Sequence, residues 1–222
     1  MNRLPEFNAL IFDMDGLVLD TEITYFNAWQ QAASVLGYQL SDAFCAGLSG
    51  LPFSVVELKL TQTLGGDFPL AEFYPLSSEF WRAAVSRDGI AVKKGVHELL
   101  SVLNNKQIPY CLATNSPEKN ARECLCYAGI EGFFELLVCR DHVQEPKPAP
   151  DIFLQAANSL GQDIQSCLVV EDSLTGLLAA KNANAFSVLV PSMLVDESMQ
   201  ALAGIILNDL SELSLLVQAA QK

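Results

Sequence analysis

The sequence predicts an α/β fold in which a parallel β-sheet is covered by helices on both faces and a helical domain is inserted after the first strand. From Gly95 onward, short apolar runs typical of buried strands alternate with segments of helical periodicity. From about Asp20 to Asp88 the periodicity is helical throughout, over a length too great for one crossover helix. The 222 residues, half of them apolar, suffice for one substantial core and a small accessory domain.

The first strand is predicted at residues 9–12, where an apolar run leads into Asp13 and into a turn that Gly16 makes possible. The inserted segment then begins with an amphipathic helix. The apolar face of this helix is formed by Phe26, Trp29, Ala33 and Leu36. We expect Phe26 and Trp29 to belong to the hydrophobic core of the insert.

The second part of the chain predicts helices and strands in turn. Helices are predicted at residues 95–106, 117–128, 150–160, 173–182 and 209–220. Strands are predicted at residues 109–113, 136–139, 167–170, 186–190 and 204–207. This order is that of a Rossmann-like core formed by residues 1–19 and 89–222, with residues 20–88 as an all-helical cap domain.

The composition argues against several classes of partner. The formal charge is −13, from 26 acidic and 13 basic side chains, and such a surface repels nucleic acid and anionic lipid. The six cysteines form no Cys-x-x-Cys pair and are interpreted as reduced core residues. The apolar run near the N-terminus is far shorter than a signal or membrane segment. We therefore expect a cytoplasmic protein, with a monomer as the default.

Two aspartates follow the first predicted strand. Ligands of an open parallel sheet bind at the carboxyl ends of its strands, so polar residues that end apolar runs are candidate site residues. Asp13 and Asp15 would repel each other at a buried strand end unless a cation or a shared proton compensated. Carboxylate and carbonyl oxygens are the ligands that Mg²⁺ prefers. Taken alone, Asp15 followed by Gly16 is more often a simple turn.

Later strand ends and loops carry further polar residues. The hydroxyl of Thr114, with backbone N–H groups at the next helix start, is suited to hold a phosphate oxygen, and Ser116 is interpreted as the cap of that helix. Lys147 lies between two prolines that stiffen its loop, although an exposed loop lysine is the commoner case. Glu171 and Asp172 follow another strand and fit either a metal site or a helix start.

Together these residues resemble the haloacid dehalogenase superfamily, in its branch with a helical cap, close to the β-phosphoglucomutase-like phosphatases. The matching segments are Phe12-Asp13-Met14-Asp15-Gly16-Leu17 with Asp20-Thr21-Glu22, Thr114-Asn115, Lys147-Pro148-Ala149-Pro150-Asp151-Ile152-Phe153 and Val170-Glu171-Asp172-Ser173. The resemblance covers essentially the whole chain, including the position of the cap, and is more specific than any one short motif.

The resemblance implies a phosphatase that acts on a small phosphorylated metabolite, such as a sugar phosphate. Asp13 would be the nucleophile that attacks phosphorus and forms an aspartyl phosphate. Asp15 would protonate the departing oxygen and then take a proton from the hydrolytic water. The presence of Asp15 argues against dehalogenase chemistry, which attacks carbon and does not need this second aspartate.

The resemblance also implies a cofactor and a phosphate site. Mg²⁺ would be held by Asp13, by the backbone carbonyl of Asp15 and by Asp172. Glu171 would act nearby, on a metal-bound water. The phosphoryl oxygens would be bound by Thr114, Asn115 and Lys147, while charge spreads over those oxygens during transfer.

The cap departs from the mutase relatives at two positions. Where they carry a histidine this chain has Tyr25, and where they carry an arginine it has Phe53. A mutase needs a cation for the second phosphate of a bisphosphate, which Phe53 cannot supply, although Lys59 is a candidate substitute. A phosphatase is therefore favoured over a sugar-phosphate mutase, and a non-catalytic phosphate-binding protein of this fold is the third hypothesis. Tyr25 and Phe53 are candidate substrate contacts.

Overall fold

The computed structural model describes residues 3–48, 51, 53–192 and 194–220, with the side chains of residues 53 and 54 outside the description. It contains two compact units. The core unit is formed by Met1–Leu19 and Ala91–Lys222, and the cap unit by Asp20–Ile90. The sequence prediction placed the return to the core at residue 89, directly after the last helix of the insert.

The part of the chain that the structure describes contains six strands and ten α-helices. The strands are β1 (Ala9–Phe12), β2 (Tyr110–Ala113), β3 (Leu137–Val138), β4 (Cys167–Glu171), β5 (Phe186–Leu189) and β6 (Ile205–Ile206). The helices of the cap unit are α1 (Thr21–Val35), α2 (Asp42–Ala46), α3 (Phe53–Leu64) and α4 (Leu70–Asp88). The helices of the core unit are α5 (Val96–Lys106), α6 (Glu118–Tyr127), α7 (Asp151–Ser159), α8 (Leu174–Asn182), α9 (Glu197–Leu202) and α10 (Leu210–Ala220).

The six strands form one parallel sheet in the order β3-β2-β1-β4-β5-β6, which confirms the predicted α/β class. All residues of β1 and β4 are buried, as expected for strands of a parallel sheet that is covered on both faces. In the register of the sheet, Phe12 of β1 lies beside Leu112 of β2 and Val170 of β4. The carboxyl ends of these three neighbouring strands are therefore level, and the residues that follow them share one edge.

The core of the sheet is closely packed on the face that carries Ile11. Phe153 of α7 and Ala180 of α8 belong to the same buried cluster as Ile11, and the small alanine side chains allow the helices to approach the strands. Phe12 lies at an alternate position of β1, and its ring makes an edge-to-face contact with that of Phe134, with ring centroids 6.1 Å apart. Each fully buried side chain of this size contributes roughly 1.5–3 kcal/mol to folding.

The cap unit has a separate hydrophobic core. The predicted packing of Phe26 and Trp29 is confirmed, since both contact the buried cluster around Phe73. Tyr25 stacks on Trp81 with ring centroids 5.3 Å apart and planes 5° from parallel. The indole N–H of Trp81 also donates a hydrogen bond to Thr24 Oγ1 at 3.0 Å, which fixes the ring against α1.

Some predicted details were wrong. Helix α9 has only six residues and lies in a stretch for which no helix was predicted; Asp196 caps it by accepting the Met199 N–H. Five of the cysteines are buried, as predicted, but Cys126 is exposed. This cysteine lies on the outer face of α6, where helical periodicity turns it away from its buried neighbour Cys124.

Candidate active site

The first residue of the candidate site is Asp13, which follows β1 in the middle of the sheet. Its backbone N–H donates to Val170 O at 3.0 Å, so the residue continues the pairing of β1 with β4 for one position. Its side chain is buried at this edge, with 7% of the residue exposed. An isolated buried carboxylate is costly, so its partners decide what it can do.

Lys147 is the principal partner of Asp13. Only 3% of the residue is exposed, so the alternative interpretation as an exposed loop lysine is wrong. Its Nζ donates to Asp13 Oδ1 at 2.5 Å, to Glu171 Oε1 at 2.6 Å and to Ala113 O at 2.9 Å. The ammonium also lies 4.8 Å from the ring centroid of Phe153. All three protons of the ammonium thus have an acceptor inside the protein.

The loop that carries Lys147 is held by Asn115, which follows the end of β2. The Lys147 N–H donates to Asn115 Oδ1 at 2.9 Å, and Asn115 Nδ2 donates back to Lys147 O at 3.3 Å. This reciprocal pair fixes the backbone from which the lysine reaches the strand ends. The side chain of Asn115 is therefore a support for Lys147, a role that the sequence did not predict.

Glu171 is the fully buried last residue of β4. Its Oε1 accepts from Lys147, and its Oε2 accepts from the Asp172 N–H at 3.1 Å and from Ser173 Oγ at 3.1 Å. A Cβ at Gly176 would lie 1.8–2.1 Å from the Glu171 carboxyl group, so only glycine leaves room for this carboxylate under α8. Ser173 also accepts the Gly176 N–H at 3.1 Å and is the cap of α8.

Asp172 lies where three loops meet. Ser192, in the segment after β5, donates from Oγ to Asp172 Oδ2 at 2.7 Å. Gly16, in the loop after β1, has φ of +83°, and a Cβ there would lie 2.2 Å from the same oxygen. The predicted turn at Gly16 is thus present, and the missing side chain also makes space for the aspartate. Ser192 was missed by sequence reasoning, because nothing local marks it.

Asp15 receives two hydroxyl groups from the loop after β2. Thr114 Oγ1 donates to Asp15 Oδ2 at 3.1 Å, and Ser116 Oγ donates to the same oxygen at 2.9 Å. The interpretation of Ser116 as a helix cap is wrong. Helix α6 begins at Glu118, and the Glu118 N–H is satisfied by Asp141 Oδ1 at 2.9 Å, so the serine hydroxyl is turned toward the site.

Burial is the largest single influence on the pKa values of Asp13 and Lys147. Burial raises the pKa of Asp13 well above its ordinary value; Lys147 counteracts part of this shift, and Glu171, Asp172 and Asp15 add to it. Burial alone would lower the pKa of Lys147, but the charges of Asp13 and Glu171 outweigh it and the pKa is raised. The ammonium therefore stays charged, while the carboxylates outnumber it.

The acidic groups fit a divalent cation. Oxygen atoms of Asp13, Glu171 and Asp172 all lie within 4.8 Å of one another, and all three residues are buried. Carboxylate oxygens with an excess of negative charge are the donor set that Mg²⁺ prefers. Both oxygens of Glu171 already accept hydrogen bonds, Oε1 from Lys147 and Oε2 from the Asp172 N–H.

A family model described as haloacid dehalogenase-like hydrolase matches residues 10–190, a span that includes every residue of the site described above except Ser192. The chain belongs to the haloacid dehalogenase-like hydrolases. The family resemblance that the sequence motifs indicated is thereby confirmed, and the parallel sheet agrees with it.

Similar proteins of this family include named phosphatases. The chain is 32% identical over 175 residues to the phosphorylated carbohydrates phosphatase of Thermotoga maritima, covering 79% of this chain and 81% of that one. It is 31% identical over 179 residues to the fructose-1-phosphate phosphatase YqaB of Escherichia coli, covering 80% and 93%. The structure of CbbY from Rhodobacter sphaeroides in complex with phosphate superposes with a TM-score of 0.78 at 25% identity, covering 93% and 96%.

The structure thus brings together all the core residues that the sequence singled out. Asp13, Lys147, Glu171 and Asp172 form one hydrogen-bonded group, and Thr114 and Asp15 form a second beside it. For the cap residues the outcome differs. The ring of Tyr25 is stacked on Trp81, and the side chain of Phe53 lies outside the described residues, so their contact with substrate stays a prediction.

Within the described ranges, none of the helices has the length and apolarity needed to cross a membrane.

Proposed function

We propose that the protein is a Mg²⁺-dependent phosphatase that hydrolyses a small phosphorylated metabolite, of the sugar phosphate class, through an aspartyl phosphate on Asp13. The observation that carries the proposal is the buried ion group in which Lys147 bridges Asp13 and Glu171 at the carboxyl ends of neighbouring strands. The named activities of the two phosphatase relatives support the substrate class.

Asp13 acts as the nucleophile. Its carboxylate attacks phosphorus, and the ester oxygen departs with the bonding electrons, so that one difficult hydrolysis becomes two easier steps. Lys147 holds the carboxylate in place through the hydrogen bond to Oδ1, and its positive charge opposes the rise in the pKa of Asp13. As negative charge spreads over the phosphoryl oxygens, the same ammonium attracts it.

Asp15 acts as general acid and then as general base. It lies two residues beyond the nucleophile and is only partly buried, so both a departing oxygen and a water molecule have access to it. Thr114 lies beside Asp15, to which its hydroxyl donates at 3.1 Å, and in the proposed reaction this hydroxyl donates to a phosphoryl oxygen instead. Backbone N–H groups that follow Thr114 add further donors for the phosphate.

The carboxylates of Asp13 and Asp172 would hold Mg²⁺, together with the backbone carbonyl of Asp15. When bound, the cation supplies positive charge that draws the phosphoryl group toward the nucleophile and lowers the cost of gathering several carboxylates. Glu171 supports the ligands from behind, since it accepts the Asp172 N–H and fixes Lys147.

The test is hydrolysis of 4-nitrophenyl phosphate by the purified protein with and without Mg²⁺. We expect Mg²⁺-dependent turnover that is abolished in Asp13→Asn, with a phosphorylated protein detectable by mass spectrometry after acid quenching of the wild type. Asp163→Asn is the matched control, because the exposed side chain of Asp163 accepts the Gln165 N–H at a turn that precedes β4. Wild-type protein that binds Mg²⁺ but leaves every phosphate ester intact would instead support the binding-protein hypothesis.

The mutase hypothesis is tested with the same preparation. In the structure, Lys59 Nζ donates to Gly47 O at 3.3 Å, so the one candidate anchor named from the sequence is in contact with the cap backbone. We expect release of inorganic phosphate from sugar monophosphates rather than isomerisation. Interconversion of a hexose 1-phosphate and 6-phosphate, activated by a bisphosphate, would overturn the assignment in favour of a mutase.

A further inference from the structure

Ser116 is a polar residue of the site to which neither the sequence motifs nor the proposed mechanism assigns a role. It lies two residues beyond Thr114, and its Oγ donates to Asp15 Oδ2 at 2.9 Å. Thr114 Oγ1 donates to the same oxygen at 3.1 Å. Two hydroxyl groups from the loop after β2 therefore converge on one oxygen of the candidate general acid.

The two hydroxyl groups are not equivalent during the reaction. Thr114 has a single hydroxyl proton, and its Oγ1 already accepts the Ser116 N–H at 3.0 Å. If Thr114 donates to a phosphoryl oxygen, as the proposed mechanism requires, its proton no longer reaches Asp15. Ser116 is then the hydroxyl that keeps hold of Asp15 Oδ2 while substrate is bound.

The backbone of Ser116 is fixed on both sides. Its N–H donates to Thr114 Oγ1, and its carbonyl oxygen accepts the Arg140 N–H at 3.1 Å. The hydroxyl does not cap α6, since Asp141 satisfies the first N–H of that helix. The position is thus rigid, while the hydroxyl group points to a reacting residue.

We propose that Ser116 is a positioning residue that orients the Asp15 carboxyl group for proton delivery to the leaving group. The inference rests on the proposed phosphatase function and deepens it. In the first step the bond from Asp13 to phosphorus forms and the ester P–O bond breaks. The leaving oxygen takes that electron pair and the Asp15 proton, which yields an alcohol and the Asp15 carboxylate.

The test uses leaving groups of different basicity, because a poor leaving group needs the proton more than a good one does. We would measure kcat/KM, which reports the first chemical step, for 4-nitrophenyl phosphate, phenyl phosphate and an alkyl phosphate. For Ser116→Ala we expect kcat/KM to fall by about 10- to 100-fold with the alkyl ester but by only about 2-fold with the nitrophenyl ester. The larger fall is part of the usual effect of a general acid. Ser116→Thr retains a hydroxyl group and should restore the wild-type ratio.

Ser187→Ala is the matched control, since Ser187 is a buried serine of β5 whose hydroxyl donates to Leu202 O at 3.2 Å. For Ser187→Ala, the ratio of kcat/KM with the alkyl ester to kcat/KM with the nitrophenyl ester should equal that of the wild type. The ratio does not depend on the fraction of folded enzyme, so partial misfolding of a variant leaves it interpretable. An equal fall for all esters in Ser116→Ala, or no fall, would overturn the positioning role while the phosphatase function stands. Wild-type protein inert toward every ester would overturn both.

Discussion

The core unit and the cap unit bury polar groups of different kinds. Among the described residues, the buried charged side chains all belong to the core unit: Asp13, Lys147, Glu171 and Asp172. Within the described part of the cap unit, the buried polar residues are Thr21 and Ser77, which carry only hydroxyl groups. Burying charges is costly even when they are paired, so stability alone does not account for such a group at one edge of the sheet. The core unit carries groups suited to chemistry, whereas the cap interior is built from packed apolar and aromatic side chains.

The largest expected difference between the two units comes from replacing a glycine by alanine, which adds one methyl group. Gly176 lies within α8, where replacement of glycine by alanine ordinarily stabilises a helix by about 1 kcal/mol. In Gly176→Ala the new Cβ would instead meet the Glu171 carboxyl group at about 2 Å. We expect a loss of about 1–3 kcal/mol in the free energy of unfolding. Because Lys147 donates a hydrogen bond to Glu171, a shift of the Glu171 carboxylate should also displace Lys147 and lower kcat by about 100-fold.

The matched control lies in the cap unit. A Cβ at Gly66 would have no heavy atom within 4 Å, and its backbone does not adopt positive φ. Gly66→Ala should therefore unfold at the same urea concentration as the wild type or slightly above it, with unchanged kcat. If Gly176→Ala proved as active and as stable as Gly66→Ala, the close approach of α8 to Glu171 would not support the site.

A smaller effect is expected when a single hydroxyl group next to the proposed metal ligands is removed. Ser192→Ala deletes the 2.7 Å hydrogen bond to Asp172 Oδ2. Loss of such a supporting contact typically weakens metal binding by about 10-fold or more. We expect the Mg²⁺ dissociation constant, measured by titration calorimetry, to rise by that factor, and Ser192→Thr to retain most of the affinity.

Ser77 is the corresponding control in the cap unit. It is buried, and its Oγ donates to Tyr74 O at 3.0 Å within α4. Ser77→Ala should leave the Mg²⁺ dissociation constant unchanged. Equal constants for Ser192→Ala and the wild type would show that Ser192 does not orient a metal ligand. Equal weakening in both variants would mean that loss of stability, rather than loss of one contact, lowers the affinity.

The difference between the units also explains what the sequence could predict. Asp13, Thr114 and Asp172 were predictable because each follows an apolar run, and the ends of neighbouring parallel strands meet at one edge. Ser116 was misinterpreted because a serine before Pro117 fits a helix start, while its true partner is 101 residues away along the chain. Ser192 had no local signal for the same reason, since folding alone brings it to Asp172.

Short elements and the roles of the cap residues were the other features that the sequence did not predict. Helix α9 has six residues, too few for a period of 3.6 to be recognised with confidence against loop sequence. Phe26 and Trp29 were correctly assigned to the hydrophobic core of the cap, but packing does not distinguish a core ring from a ring that also contacts substrate. Tyr25 illustrates this, because its stacking on Trp81 is compatible with either role.

The smallest expected difference between the units concerns ion pairs at the surface. In the core unit, Asp209 accepts from Lys94 Nζ at 2.7 Å and from the Ser211 N–H at 2.8 Å, at the start of α10. Lys94 and the N–H groups of Ser211 and Glu212 lower the pKa of Asp209. In the cap unit, Asp88 pairs with the adjacent Arg87 at the end of α4, where a negative charge opposes the helix dipole and both side chains are mostly exposed.

These two pairs predict losses of stability of different size when the aspartate charge is removed. A lowered pKa in the folded state means that ionised Asp209 stabilises the fold above the unfolded pKa, near 4, and that this contribution disappears as the pH falls through the lowered value. Asp209→Asn should therefore unfold at lower urea concentration than the wild type at neutral pH, by less than about 1 kcal/mol, with the gap closing in acid. The hydrogen bond from Arg87 also lowers the pKa of Asp88, but solvent screens this exposed pair and its negative charge opposes the helix dipole, so Asp88→Asn should show a smaller gap than Asp209→Asn. A gap for Asp209→Asn that persisted in acid would mean that cap geometry, rather than charge, stabilises α10.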